Sequence, residues 1–361
     1  MNRYNKIQNI INNLDLDLHG LTLLTELASG PYLYNVILSL MAGAKVVCVG
    51  KDSHYGDFQT VKKELKLLTS KKELENIVIC ENSCPENLLA SVDIVSNSGL
   101  LRPINKSIIN KLKKTCVVAL MWEVWEYRDA DLDLDCCQKN KIPVIGTNEN
   151  FPEIKMFGYN IFILFKLLFE LDLEIYNNKL AIIGSGPTCD PIIKGLKKLK
   201  CSFIWVSDNL QEDVYCNYEN IEKLLELDYL DAVVFIDHSN PKELVGSKSN
   251  ISFNDLESRF PDLKVGHICG NIDVENLKQS SLNYFPKEII PFGYMSYQAY
   301  HLGAQPVLEL FAAGLKVGEI AARARLSGAT IEESIKATVD YGIGQDFEGG
   351  FMNFNSNECE V

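Results

Sequence analysis

Carboxylates and arginines placed just past apolar runs are the first residues in this chain whose types and spacing could do chemistry. The run Cys116–Met121 is followed by Glu123, Glu126, Arg128, Asp129 and Asp131. In an open parallel sheet, ligands collect outside the carboxyl ends of strands. Glu123 or Glu126 can then act as an acid–base or hydroxyl-binding group, and Arg128 offers a fork for a carboxylate. The bland account is an acidic helix start near Asp131 with Arg128 paired locally. It is preferred for Asp129 and Asp131, and both accounts stand for Arg128. The segment Asp93–Pro103 repeats the arrangement: a short apolar run ends in Asn97, Ser98 and Gly99, with Arg102 behind them. These groups can donate to an anionic substrate, or the turn can simply be closed by Ser, Asn and Gly. The chain has only six arginines, so two of them just past strand ends favours the first reading a little. Glu26 and Ser29, with Gly30, stand at a helix entrance where anions are favoured, as do Ser53 and His54. Asn148 and Glu149 close the run Pro143–Gly146 and join the substrate-binding candidates. His238 and His267, two of five histidines, follow apolar runs and are candidates for acid–base work near neutral pH.

Glycines make a second constellation. Lys179–Ile183 reads as a buried strand, followed by Gly184, Ser185, Gly186, Pro187, Thr188 and Cys189 and then by a helix. This order brings backbone N–H groups close to a dinucleotide pyrophosphate. The next strand, Cys201–Ser207, ends at Asp208, whose carboxylate can accept from an adenosine ribose and would repel a 2′-phosphate, favouring NAD over NADP. Cys189 stands where the third glycine of the fingerprint belongs. Asp190-Pro191 reads as the N-cap and first residue of the helix, which shifts its start and leaves a phosphate resting on Ser185, Gly186, Thr188 and Cys189. Gly270 and Asn271 follow a later strand, where they would line the nicotinamide half of the cofactor.

The bulk numbers bound these readings. A chain of 361 residues, 47% hydrophobic, can bury two ordinary cores. A net charge of −13 speaks against nucleic acid or an anionic membrane as partner. The lysine pairs are broken by acids or apolar residues and read as solvated helix faces. Eleven cysteines form no CxxC pair, and most sit in strand-like runs as small hydrophobes. The start Met1–Lys6 leads into no apolar signal segment, and Ile161–Leu173 is too short to span a bilayer. The expectation is a reduced, cytoplasmic protein without a metal site.

Positioning these residues requires strands that alternate with helices, the sequence form of a parallel sheet covered on both faces. Strands are expected at Lys45–Gly50, Ile77–Glu81, Asp93–Ser96, Cys116–Met121 and Pro143–Gly146, then at Leu180–Ile183, Ser202–Ser207, Ala232–Ile236 and Val265–Cys269. The fold class is α/β, with two doubly wound Rossmann-like domains: a substrate-side domain over 1–158 and a nucleotide domain over 159–295. The apolar helix 157–171 bridges them. A helical segment, 296–361, packs back across the hinge, and its face Leu308–Ile320 would suit a homodimer as well.

The stretch Arg128–Glu149 resembles the D-isomer-specific 2-hydroxyacid dehydrogenases. Asp131–Asp135 and Ile142–Asn148 match that family's helix-opening phrase and the strand just before its nucleotide domain, and the resemblance runs over about residues 90–300. It implies a two-domain architecture with an NAD-binding domain at the Gly184 turn. The family's Arg–Glu–His trio has no clear counterpart, and Phe292 in Pro291-Phe-Gly-Tyr-Met occupies the place of its imidazole. The S-adenosylhomocysteine hydrolase group, which shares the architecture, is similar more faintly over His19–Tyr55. The leading expectation is an NAD(P)-dependent oxidoreductase acting on a small polar, anionic substrate between the two domains. A redox-neutral synthase or lyase, and a dinucleotide-binding sensor or scaffold, remain as alternatives.

Overall fold

The computed structural model describes residues 3–53, 56–97, 101–154, 156–209, 212–238 and 240–354. The chain forms two compact units, Met1–Met156 with Ala304–Val361, and Phe157–Gly303.

In the first unit, β1 (Thr22–Glu26), β2 (Lys45–Gly50), β3 (Ile77–Glu81), β4 (Ile94–Asn97), β5 (Val117–Leu120) and β6 (Val144–Thr147) form a parallel sheet in the order β6-β5-β4-β1-β2-β3. The short segment Gly344–Gln345 adds an antiparallel edge beside β6. Strands β4, β5 and β6 are buried along their whole length, as expected where helices cover both faces and no polar alternation is needed. All six carboxyl ends lie on one edge, so Glu26, Asn97, Trp122 and Thr147 gather there.

The helix Ala304–Leu326 completes this unit. Leu308, Phe311, Leu315 and Val317 are buried along it, and Gly314 and Gly318 let it lie against the strands. A Cβ at Gly314 would stand 2.5 Å from the Met121 sulfur, and one at Gly318 2.7 Å from the Ile94 side chain. Lys316 and Glu319 are buried with it. The Lys316 ammonium donates to the Asp15 carbonyl at 2.6 Å and Glu319 accepts from the Asp17 N–H at 3.0 Å, which ties the helix to the start of the chain. The C-terminal helices, expected as a separate third segment, therefore belong to the first unit: their apolar face has this sheet to cover.

The second unit holds β7 (Leu180–Ile183), β8 (Phe203–Val206), β9 (Val214–Cys216), β10 (Ala232–Ile236), β11 (Lys264–Cys269) and β12 (Asn283–Phe285), all parallel, in the order β12-β11-β10-β7-β8-β9. Strand order reverses at β7, and the turn after β7 is where such a sheet opens a crevice. One core lies under helices Asn160–Glu170 and Gly186–Leu199, and the other is built on Phe235, Phe253 and Leu256.

Among the described residues every cysteine is a free thiol, and no helix is long and apolar enough to cross a membrane.

Candidate functional site

At the carboxyl edge of the first sheet, neighbouring strands bring together residues far apart in sequence. Leu24 pairs with Val95, and carrying that register two residues on sets Glu26 beside Asn97. Side chains alternate across a strand, so these two share one face while Thr25 and Ser96 share the other. On the second face, Asn35 Nδ2 donates to Thr25 Oγ1 at 2.8 Å and Ser96 Oγ at 3.1 Å. Glu26 is only 2% exposed and accepts from the Leu101 N–H at 3.2 Å. Asn97 is fully buried, and neither its Oδ1 nor its Nδ2 has a hydrogen-bond partner. A buried carboxamide left unpaired costs about 1–3 kcal/mol, a cost that a bound polar group would remove. Ser29 stands at the N-cap of the turn Gly30–Tyr32 without a side-chain cap bond. Ser98, Gly99 and His54 lie outside the described residues.

Past β5 the charged cluster divides into two parts. Asp131 is 5% exposed and holds the arginines: Arg102 Nη1 reaches its two carboxylate oxygens at 2.9 and 2.8 Å, and Arg128 Nη1 approaches at 3.6 Å. The Arg102 guanidinium also lies 5.8 Å from the Trp122 ring centroid, and the indole N–H of Trp122 is buried without a partner. Two guanidiniums on one carboxylate leave a net positive charge. The local pairing of Arg128 and a role in holding an anion thus coexist.

The other part is acidic. Glu123, 4% exposed, accepts from Trp125 Nε1 at 2.6 Å, Gln345 Nε2 at 3.0 Å and the Glu149 N–H at 3.2 Å. Glu126 and Glu149 are half-buried beside it. Burial pushes the Glu126 carboxyl up to about 7; Arg128 opposes the rise and Glu123 adds to it. Glu149 is held well above the usual carboxylate range by burial and then by Glu126 and Glu123. Carboxyls in this relation release their protons as a set, which gives the edge a proton store near neutral pH. Asn148 is committed elsewhere: its Nδ2 donates to the Gly342 carbonyl at 2.9 Å and its Oδ1 accepts from Asn150 N–H at 3.0 Å. It anchors the C-terminal segment and does not serve as the expected substrate contact.

In the second unit, the helix after β7 begins at Gly186, with Ser185 at its N-cap and Pro191 inside it. This corrects the expected start at Asp190. Gly186 takes φ 78°, which turns the chain into the helix at once; Pro191 removes only the bond to the Pro187 carbonyl one turn back. The N–H groups of Gly186 and Thr188 fall in the first turn, where no preceding carbonyl claims them. Pro187 contributes none, and Cys189 is buried, so it faces the core. A Cβ on Gly184 would stand 2.0 Å from the Ile236 carbonyl oxygen; glycine is required there by close strand packing. Asp208 is exposed just past β8, accepting from the Tyr218 N–H at 3.0 Å and Asn240 Nδ2 at 3.3 Å. The donor set of the first turn and this acid fit a dinucleotide. One group departs from that fit: Asp237, fully buried, accepts from Ser185 Oγ at 2.8 Å and from the Tyr218 hydroxyl.

His267 is also corrected. It lies inside β11, fully buried, with Nε2 3.0 Å from the Gly270 carbonyl and Nδ1 2.9 Å from Ser296 Oγ. Nε2 donates, and Nδ1 accepts from a serine that itself accepts from the Ile290 N–H at 2.9 Å. Burial lowers its pKa to about 4, so it is a neutral structural residue and not an acid–base group. Asn271 Nδ2 donates to the Pro241 carbonyl at 2.6 Å, and the Gly270 carbonyl is taken by His267; both hold the loop after β11 and are not shaped as cofactor contacts. His238 is half-buried, two residues past β10.

Asn35, Trp122, Gln345 and Asp237 were not anticipated. Asp237 had a signal, an acid immediately past the five-residue apolar strand β10. Gln345 had none, since it reaches Glu123 across 222 positions.

No protein-family model matches the chain, and no curated protein matches its sequence. Solved structures do match. The A chain of dipicolinate synthase from Bacillus halodurans is 12% identical, covering 82% of this chain and 96% of its own, with a TM-score of 0.52. A 2-hydroxyacid dehydrogenase from Ketogulonicigenium vulgare is 10% identical over 86% of this chain and 97% of its own, with a TM-score of 0.49. An NADPH-dependent glyoxylate/hydroxypyruvate reductase from Sinorhizobium meliloti is 12% identical over 85% and 95%, with a TM-score of 0.46. The fold is thus shared with the dipicolinate synthase, and it is the two-sheet architecture to which the phrases at Asp131–Asp135 and Ile142–Asn148 point.

Proposed function

We propose that the chain is an NAD-dependent oxidoreductase acting on a small polar, anionic substrate. The observation that carries this reading is the turn after β7: Gly184 packed on β10, Gly186 turning directly into a helix, and Asp208 exposed at the end of the adjacent strand. In this reading Gly186 and Thr188 N–H hold the diphosphate and Asp208 the adenosine ribose, which disfavours a 2′-phosphate. Bound there, a nicotinamide would supply hydride acceptance or donation.

The chain's own residues supply the rest. Arg102 and Arg128 hold the substrate anion, positioned by Asp131. Asn97 and Glu26 take a polar group of the substrate. Glu126 moves the proton, with Glu149 sharing it, while Glu123 positions the set through Trp125 and Gln345. A carboxyl near 7 suits this role, because it holds or releases a proton at modest cost at working pH. Titration with NADH, followed by cofactor fluorescence, tests the reading: saturation in the micromolar range is expected, and no binding up to millimolar concentrations would sink it.

A redox-neutral synthase or lyase on the same fold is the second reading. The acid–base set is made of carboxylates, and His267 is committed to the core. A co-purifying NAD whose absorbance at 340 nm stays flat during turnover of substrate would favour it.

A further inference from the structure

The buried carboxylate under the glycine turn bears on how a diphosphate is received, and its importance rests on the dinucleotide reading above. Extending the Ile183–Phe235 register by two residues sets Ser185 beside Asp237. Asp237 Oδ2 accepts from Ser185 Oγ at 2.8 Å and from the Tyr218 hydroxyl, and Oδ1 accepts from the Asn240 N–H at 2.9 Å. An ionised carboxylate only accepts. Both hydroxyl hydrogens therefore point at Asp237, and the Ser185 oxygen presents lone pairs at the turn. A diphosphate arriving there meets an acceptor where it needs a donor, with a like charge directly behind.

We propose that Asp237 takes up one proton from solvent when the turn binds a diphosphate, which makes it a specificity-determining residue of this site. Once protonated, Asp237 can donate to one hydroxyl oxygen, and the Ser185 hydrogen is released to turn toward a phosphate oxygen. One proton enters per ligand bound, and no other atom or electron is transferred.

The titratable groups around Asp237 are Tyr218, Cys189 and Asp190 on the neighbouring helices, His238 beside it in the chain, and Asp208, joined through Asn240. Burial raises both Tyr218 and Cys189, so these two keep their protons throughout the neutral range. Asp190 Oδ1 is buried without a partner and is the competing proton acceptor, together with His238.

The test is titration of the full chain with NADH and with ADP-ribose between pH 5.5 and 8, combined with calorimetry in buffers of different ionisation enthalpy. Uptake of close to one proton is expected, with Kd rising by up to about tenfold per pH unit. Asp237→Asn should tighten binding at pH 8 and flatten the profile. Tyr218→Phe, which removes one donor to the carboxylate, should move the profile to higher pH and supplies the answer if Asp237→Asn does not fold. Binding of equal strength at every pH without proton uptake would overturn the proposal while leaving the dinucleotide reading intact. So would uptake that survives Asp237→Asn and disappears in Asp190→Asn or His238→Gln. No binding of either probe at any pH would overturn both.

Discussion

Glu126 and Glu149 share surroundings in which a second full charge is disfavoured, and this sets the expected pH response. Glu126 is protonated below about 7 and ionised above it. Turnover in the direction that withdraws a proton from substrate should therefore rise through pH 7, and turnover in the opposite direction should fall. Glu126→Gln should lower the rate by about 100-fold or more and abolish that inflection, as steady-state rates across pH would reveal. A Glu126→Gln enzyme that kept both would remove Glu126 from the proton path. His267 gives a second pH signature, this time in stability. Its folded pKa, about 4, lies below its ordinary value of about 6.5, so the unfolded chain binds a proton that the folded one refuses. Stability should be unaffected by this group above pH 6.5. It should fall by about 1.4 kcal/mol per pH unit as pH drops from 6.5 to 4. Urea denaturation of the wild type and of His267→Gln over that range measures it; identical slopes would show that the imidazole is not buried neutral.

At the level of elements, Gly184 and Gly186 make separable predictions. Gly184→Ala forces a Cβ into the Ile236 carbonyl, which must part β7 from β10, at a cost on the order of 3 kcal/mol. Gly186→Ala keeps the space and meets only the positive φ, at about 1–2 kcal/mol. Chemical denaturation of the two variants should rank them in that order. The strands were legible where apolar residues run unbroken, as in Val117–Leu120 and Ala232–Ile236, because a strand buried on both faces needs no polar alternation. Thr22–Glu26 escaped notice because its two threonines and terminal acid lack that pattern, yet it is the centre of the first sheet. The helix start at Gly186 was misplaced since Asp190-Pro191 has the composition of a cap, and only the backbone angle at Gly186 decides. Candidates set by position past a strand, such as Glu26, Asn97 and Glu126, could be read from sequence. The partners that define their state could not, because Gln345, Asp131 and Leu101 arrive through tertiary contacts.

On the scale of the whole molecule, the helix Ala304–Leu326 belongs to the first unit although the entire second unit precedes it in the chain. Removing everything after Gly303 should expose the sheet surface that Leu308, Phe311, Leu315 and Val317 cover, each worth about 1.5–3 kcal/mol of burial. Hydrogen exchange on that truncated chain should find β1 to β6 unprotected and β7 to β12 still protected; protection of both sets would mean that the helix is dispensable. The same interruption has a consequence during synthesis. Strands β1 to β6 leave the ribosome first, but the helix that seals them follows only after the second unit has been made, which at about 5–20 residues per second takes on the order of ten seconds or more. For that interval the earliest-made sheet waits with an apolar face open while the later-made one can already close. The nascent chain should therefore depend on a holding chaperone most while residues 157–303 are being translated.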